Sequence, residues 1–135
     1  MFASCTFKSK SHVRYNENAC LAICNAARAN NREADITGYL HHEGGYFVGY
    51  MEGSMTAISC LTAILQLDIR HSDFQIIDAQ QRTTRLFKRW DMAFTDDETR
   101  SFSLWAQSMG QNMTLGDADA GLITAFISSL ILDHI

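Results

Sequence analysis

The sequence predicts an α+β fold built on a β-α-β-β-α-β core with one further strand, followed by C-terminal helices. Three observations carry the prediction. Short runs that alternate apolar and polar residues bracket two stretches with apolar residues every three or four positions. The central stretch, residues 35–53, reads DITGYLHHEGGYFVGYMEG and places Gly44 and Gly45 between two strand-like runs. The second of those runs passes directly into a helical pattern at Ser54, a residue type that caps helix N-termini.

In chain order, residues 2–8 read as a strand, with Ala3, Cys5 and Phe7 on one face and Phe2, Ser4 and Thr6 on the other. Residues 9–14 are a polar connection. Residues 15–30 form a helix, with Asn16 as candidate N-cap and Ala19, Ile23, Ala26 and Ala27 on or near one stripe. Asn30 and Asn31 are placed at its end, because Asn tolerates the left-handed conformation. Residues 36–42 and 46–52 are the hairpin strands, and Glu43-Gly44-Gly45 is the turn, where glycine accepts positive φ at little steric cost. Residues 54–67 form the second helix, with Ile58, Leu61, Ile64 and Leu65 as its apolar face. A polar exit over 68–72 leads to a strand at 74–79, a loop at 80–88 and a fifth strand at 89–95, with Trp90, Met92 and Phe94 on one side.

Two βαβ halves around a hairpin make a ferredoxin-like sheet with both helices on one face. Cys5, Phe7, Gly49 and Met51 belong to that buried face. A third helix is expected at 96–109, a linker at 110–116 and a fourth helix at 117–135. The chain is thus divided into a sheet domain, 1–95, and a helical extension, 96–135. The last helix is apolar around much of its circumference, yet its run is shorter than the roughly 20 residues a bilayer requires. It is expected to cover the second sheet face or to build an interface between copies, and a homo-oligomer is expected.

Composition narrows the function classes. Eleven Lys and Arg against fifteen Asp and Glu leave a net charge of −4, with no basic run, so nucleic acid is not an expected partner. No charged stretch precedes a long apolar one near the N-terminus, so no secretory signal is expected. Cys5, Cys20, Cys24 and Cys60 form no CxxC pair and are expected as small buried thiols in a reducing cytoplasm. His41 and His42 are adjacent in a strand, point to opposite faces and cannot chelate together, so no metal site is expected. No nucleophile–base pair, carboxylate dyad or phosphate loop stands out, which argues against an enzyme.

Four segments in order, ANNREADITGYL, GGYFVGYMEG, LDIRHSDF and LFKRWDMAF, resemble the BLUF family of flavin-binding blue-light sensors over roughly residues 2–95. The resemblance implies the ferredoxin-like fold with the isoalloxazine ring of FAD, or of another flavin, held between the two helices. It implies that Asn31 bonds the O4/N3 edge of the ring, that Asn30 makes a neighbouring contact and that Ile23 packs on the ring. Arg70 corresponds to the family arginine that reaches O2, followed by His71 as in many members. A carboxamide and a guanidinium suit a uracil-like edge of carbonyls and an N–H. Trp90 and Met92 match the WxM strand that relays the light signal in the family.

Two departures stand out. The family's photoactive Tyr falls at Phe7, and its photoactive Gln falls at Gly49. In the family, the excited flavin takes an electron and a proton from the Tyr, and the Gln then rearranges its hydrogen bonds to N5 and O4. Phe7 has no hydroxyl proton to give, and Gly49 has no carboxamide to rearrange. Tyr46 and Tyr50 lie an odd number of residues from Gly49 and so are expected on the opposite face. The sequence therefore reads as a BLUF-type flavin-binding sensory or regulatory module acting on a protein partner, with its usual photocycle lost. The alternative is a flavin-free interaction module on the same scaffold.

Overall fold

A computed structural model describes residues 2–12, 17–86 and 92–133, the side chains of residues 17–24 excepted. The elements are β1 (Phe2–Ser11), α1 (Glu17–Glu33), β2 (Thr37–Glu43), β3 (Tyr46–Ser54), α2 (Met55–Gln66), β4 (His71–Arg82), β5 (Ala93–Asp96), α3 (Phe102–Ser108), a 3-10 turn (Leu115–Asp117) and α4 (Ala120–Leu132). The strands form one sheet in the order β4-β1-β3-β2-β5. Only the β2–β5 pair is parallel; β1–β3, β1–β4 and β2–β3 are antiparallel. This is the predicted ferredoxin-like core with its extra strand added beside β2.

The predicted local signals act as expected at the hairpin. Gly44 and Gly45 adopt φ of +60° and +82°, the pair of positive values that a tight two-residue hairpin turn requires. The Ser54 hydroxyl accepts the Ala57 amide at 3.1 Å and starts α2. In three other places, packing moves the predicted boundaries. Helix α1 does not stop at Asn30 and Asn31: the Ala34 amide still bonds the Asn30 carbonyl at 3.1 Å, and the left-handed residue is Asp35, φ +56°. Strand β4 exceeds the predicted 74–79 at both ends, because β1 itself runs to Ser11 and pairs with it from Phe2↔Arg82 to Ser11↔His71. Irregularities in that pairing fall between Thr6 and Phe7 and between Lys8 and Lys10, the second accommodating Asp73 at φ +54°.

The C-terminal helices are shorter than predicted. Asp96 remains in β5, and its carboxylate accepts the Glu98 and Thr99 amides at 3.1 Å each, which turns the chain before α3 can begin. Ser101 then caps α3, and Gly110 at φ +78° lets the Gln111 amide close back on the Ala106 carbonyl at 2.9 Å. Asp119 caps α4 through the Leu122 amide at 2.8 Å.

Alternation along the strands sends side chains to two cores. Cys5, Phe7, Leu40, Phe47, Met51 and Met92 pack beneath α1 and α2. Tyr39, Val48, Tyr50 and Ala93 face the other way, against Phe102, Ile123, Phe126, Ile127 and Leu130 of α3 and α4. Of the two roles expected of the last helix, covering the second sheet face is the one visible within the chain. Lys8 ties the intervening segment to the sheet by donating to the Gly116 carbonyl at 2.9 Å. The expectation of buried thiols holds for Cys5 but not for Cys60, which is exposed on α2, and the side chains of Cys20 and Cys24 lie outside the described residues. No described helix is long and apolar enough to cross a membrane. No cluster of three or more metal-binding side chains occurs among the described residues.

Candidate functional site

The two helices do not close completely over the sheet. A cleft of about 130 Å³ remains between them. Phe7, Leu40, Phe47 and Met51 form its floor, because inward positions on β1, β2 and β3 recur every second residue. Ala26 and Ala27 of α1 face Leu61, Ile64 and Leu65 of α2 across the opening. Small residues on one helix and aliphatic ones on the other leave a slot with apolar walls.

The polar groups are few. Asn30 and Asn31 come from the last turns of α1, and Asp68, Arg70 and His71 from the α2–β4 turn. Asn31 is buried, 2% exposed, whereas Asn30 is exposed. Arg70 stands at the cleft but is engaged by Asp68: its Nε lies 3.0 Å from Oδ1, and one terminal nitrogen lies 2.5 Å from Oδ2. The same carboxylate accepts the Arg70 amide at 2.9 Å, an Asx-type turn. The Arg70 hydrogen bond holds the Asp68 carboxyl down at about 2. His71 is pinned at both ring nitrogens, with Nδ1 2.7 Å from the Ser9 hydroxyl and Nε2 donating to the Leu65 carbonyl at 2.5 Å. Its edges are spent inside the protein, and its ring meets Phe74 edge-on with centroids 5.8 Å apart. Phe74 in turn stacks on Phe7 at 5.2 Å.

Phe7 and Gly49 are direct partners across β1 and β3. A Cβ built on Gly49 would lie 2.5 Å from both Cε1 and Cζ of Phe7, far inside contact distance. The Phe7 ring therefore occupies the notch that the missing side chain leaves, an aromatic ring covering a cross-strand glycine. Tyr46 and Tyr50 pack against the opposite core, so neither supplies a hydroxyl to the cleft. Phe7 and Gly49 are thus one packing unit.

Met92, 8% exposed, closes one side of the cleft. Its Sδ and Cε reach the space beside Gly38, where a Cβ would also strike the Tyr50 carbonyl at 2.7 Å. Arg28 of α1 holds the Met92 backbone by donating to its carbonyl at 2.9 Å. Of the predicted site residues, Asn30, Asn31, Arg70, His71, Phe7 and Met92 come together here, with Gly49 in contact through Phe7. Ile23 lies on α1 with its side chain outside the described residues, and Trp90 lies outside them altogether. Asp68 and Phe74 escaped the sequence reading. An aspartate two residues before the arginine was the available signal for the first; Phe74 had none.

A flat heteroaromatic ring edged with carbonyls and an N–H fits this arrangement: apolar faces, a buried carboxamide and a guanidinium at the rim. What the cleft lacks is a proton donor or an amide at Phe7 and Gly49.

Comparison with known proteins bears on the fold and the family. No curated protein matches the chain. Among solved structures, the BLUF protein BlrB in its dark state is 24% identical, covers 99% of this chain and 97% of its own, and superposes with a TM-score of 0.81. BlsA in its photo-activated state is 21% identical, with 98% and 96% covered and a TM-score of 0.82. BlrP1 of Klebsiella pneumoniae is 23% identical with a TM-score of 0.71, but this chain, 95% of it aligned, spans only 33% of that protein. A bacterial light-regulated adenylyl cyclase likewise extends well beyond the match, which covers 36% of it. These likenesses concern the fold. The family model described as sensors of blue light using FAD matches residues 2–93, about two-thirds of the sequence, and the chain belongs to the BLUF family.

Proposed function

We propose that this chain is a flavin-binding regulatory module of BLUF type whose blue-light photocycle is lost. The observation that carries the reading is the Phe7 ring seated in the Gly49 notch, beside a cleft that keeps Asn31, Arg70 and His71. The ring would be held between α1 and α2, with Asn31 and Arg70 toward its polar edge, Asn30 beside them and Ile23 on its face. Met92, immediately before β5, and Trp90 would take the relay role that the family gives these positions. The BLUF domain is a sensor and not a catalyst, and output here runs through contact with a protein partner. Self-association through residues 96–135, as an extension of the 1–95 domain, belongs to the same reading. The free thiols of Cys5 and Cys60 suit a reducing cytoplasm.

The test is spectroscopic. The purified protein, incubated with FAD and desalted, should retain a flavin spectrum, and blue light should produce no reversible red shift. A red shift in the native protein would refute loss of the photocycle. A colourless protein after loading would favour a flavin-free interaction module, a reading that the Arg70–Asp68 pairing supports, because the guanidinium already has an anionic partner.

A further inference from the structure

Strands β2 and β5 each carry residues of both cores. On β2, Leu40 faces the cleft, while Tyr39, His41 and Glu43 face α3 and α4. On β5, Phe94 packs with the cleft core beside Met92, while Ala93 and Thr95 point the other way. His41 is fully buried and Glu43 is 6% exposed. His41 Nδ1 lies 2.7 Å from the Thr95 hydroxyl, and Nε2 lies 2.9 Å from Glu43 Oε1. The Glu43 carboxylate accepts the Phe102 amide at 2.7 Å and the Ser103 amide at 3.1 Å. The Ser103 hydroxyl adds a contact at 3.3 Å.

The chemistry of this chain has a direction. Burial would raise the Glu43 carboxyl, but His41 and the two α3 amides bond its ionised form and hold it below the ordinary value. An ionised carboxylate only accepts, so Nε2 of His41 carries its proton and donates. Nδ1, at the other edge of the ring, is paired with the Thr95 hydroxyl. Helix α3 has only seven residues, too few to persist in isolation. Its first amides are satisfied by a carboxylate about sixty residues away in sequence, so its position follows that of β2 and β5.

We propose that the Thr95–His41–Glu43 chain is a mechanical link that couples the cleft face of β5 to the docking of α3, making these three positioning residues for the output helices. The inference rests on the cleft reading only for the identity of the ligand; the link itself is testable without one.

Hydrogen exchange followed by mass spectrometry on the intact chain provides the test. In Thr95→Val, which keeps the shape but removes the hydroxyl, amides of 102–108 should exchange about fivefold faster or more, while those of α2 stay unchanged. Thr95→Ser should restore the native rate. Met92→Ala, a change on the cleft face, should also speed 102–108 selectively, and should add nothing in the Thr95→Val background. With FAD bound, judged by absorbance, wild-type exchange at 102–108 should shift by about threefold, and the shift should vanish in Thr95→Val. Unchanged exchange in Thr95→Val, or equal acceleration in α2, would overturn the link. Additive effects of Met92→Ala and Thr95→Val would overturn the coupling to the cleft. Failure to take up FAD would count against the cofactor reading alone, since the ligand-free variants still decide the link.

Discussion

Gly49→Ala probes the packing unit on which the functional reading turns. The added Cβ would stand 2.5 Å from two ring carbons of Phe7 and 3.1 Å from the Tyr39 carbonyl oxygen. The backbone oxygen has little freedom, so the ring must move. Its displacement breaks the stack with Phe74, centred 5.2 Å away, and such pairs contribute about 0.5–1.5 kcal/mol beyond burial. Overpacking of this kind costs about 1–3 kcal/mol. Replacing glycine with alanine also restricts the unfolded chain, which returns about 0.4–1 kcal/mol. The net expectation is a loss of about 1–2 kcal/mol. Phe7→Leu removes the crowding ring carbons, so in that background Gly49→Ala should be close to neutral. A double-mutant cycle by urea unfolding should therefore return a coupling of about 1–2 kcal/mol. Additivity within about 0.5 kcal/mol would show that the ring does not fill the notch, and the proposal that the photocycle is lost through one packing event would fall with it.

Phe7→Tyr and Gly49→Gln should each fail to restore a light response, since the glutamine alone has no phenol beside it to give a proton and the tyrosine alone has no amide partner; together, once the ring at position 7 has shifted out of the notch, they should produce a reversible red shift in the FAD-loaded protein, and a double variant that holds FAD yet stays inert would argue against this. Asp68→Asn should tighten flavin binding by freeing the guanidinium, whereas Arg70→Ala should weaken it by about 1.5–3 kcal/mol, the usual cost of a lost charged hydrogen bond; equal affinities in fluorescence titrations would remove Arg70 from the site. Asp68 ionises near 2 in the folded protein because of Arg70, against about 3.9 when unfolded. Its depressed value makes the pair stabilising above about pH 4, and that contribution should fade as pH falls towards 2; urea unfolding of wild type and Asp68→Asn should converge over this interval, and parallel curves would contradict it. A chain ending at Met109 should aggregate or change its oligomeric state, because Tyr39, Val48 and Tyr50 lose a cover of α4 side chains, each such burial contributing about 1.5–3 kcal/mol; a soluble, unchanged monomer in light scattering would refute the covering role.

Local chemistry settled much of this protein before any tertiary contact was considered. Alternation along β1 and β3 placed Phe7, Gly49 and Met51 on one face and Tyr50 on the other, since neighbouring strand residues must point oppositely. Gly44-Gly45 and Ser54 specified the hairpin and the start of α2 through φ and a side-chain cap. The identities of Phe7 and Gly49 alone removed the hydroxyl and the carboxamide. Folding decided what depends on residues far apart in the chain. The length of β4 is set by the reach of β1, because an edge strand extends as far as its partner supplies hydrogen bonds. Asn31 sits inside α1 and Asp35 makes the left-handed turn, because the backbone closes on itself one turn later than the asparagines signal. Arg70 meets Asp68 before it meets any ligand, and Phe7 fills the space at Gly49, because guanidinium, carboxylate and ring take the nearest partner that three-dimensional packing offers.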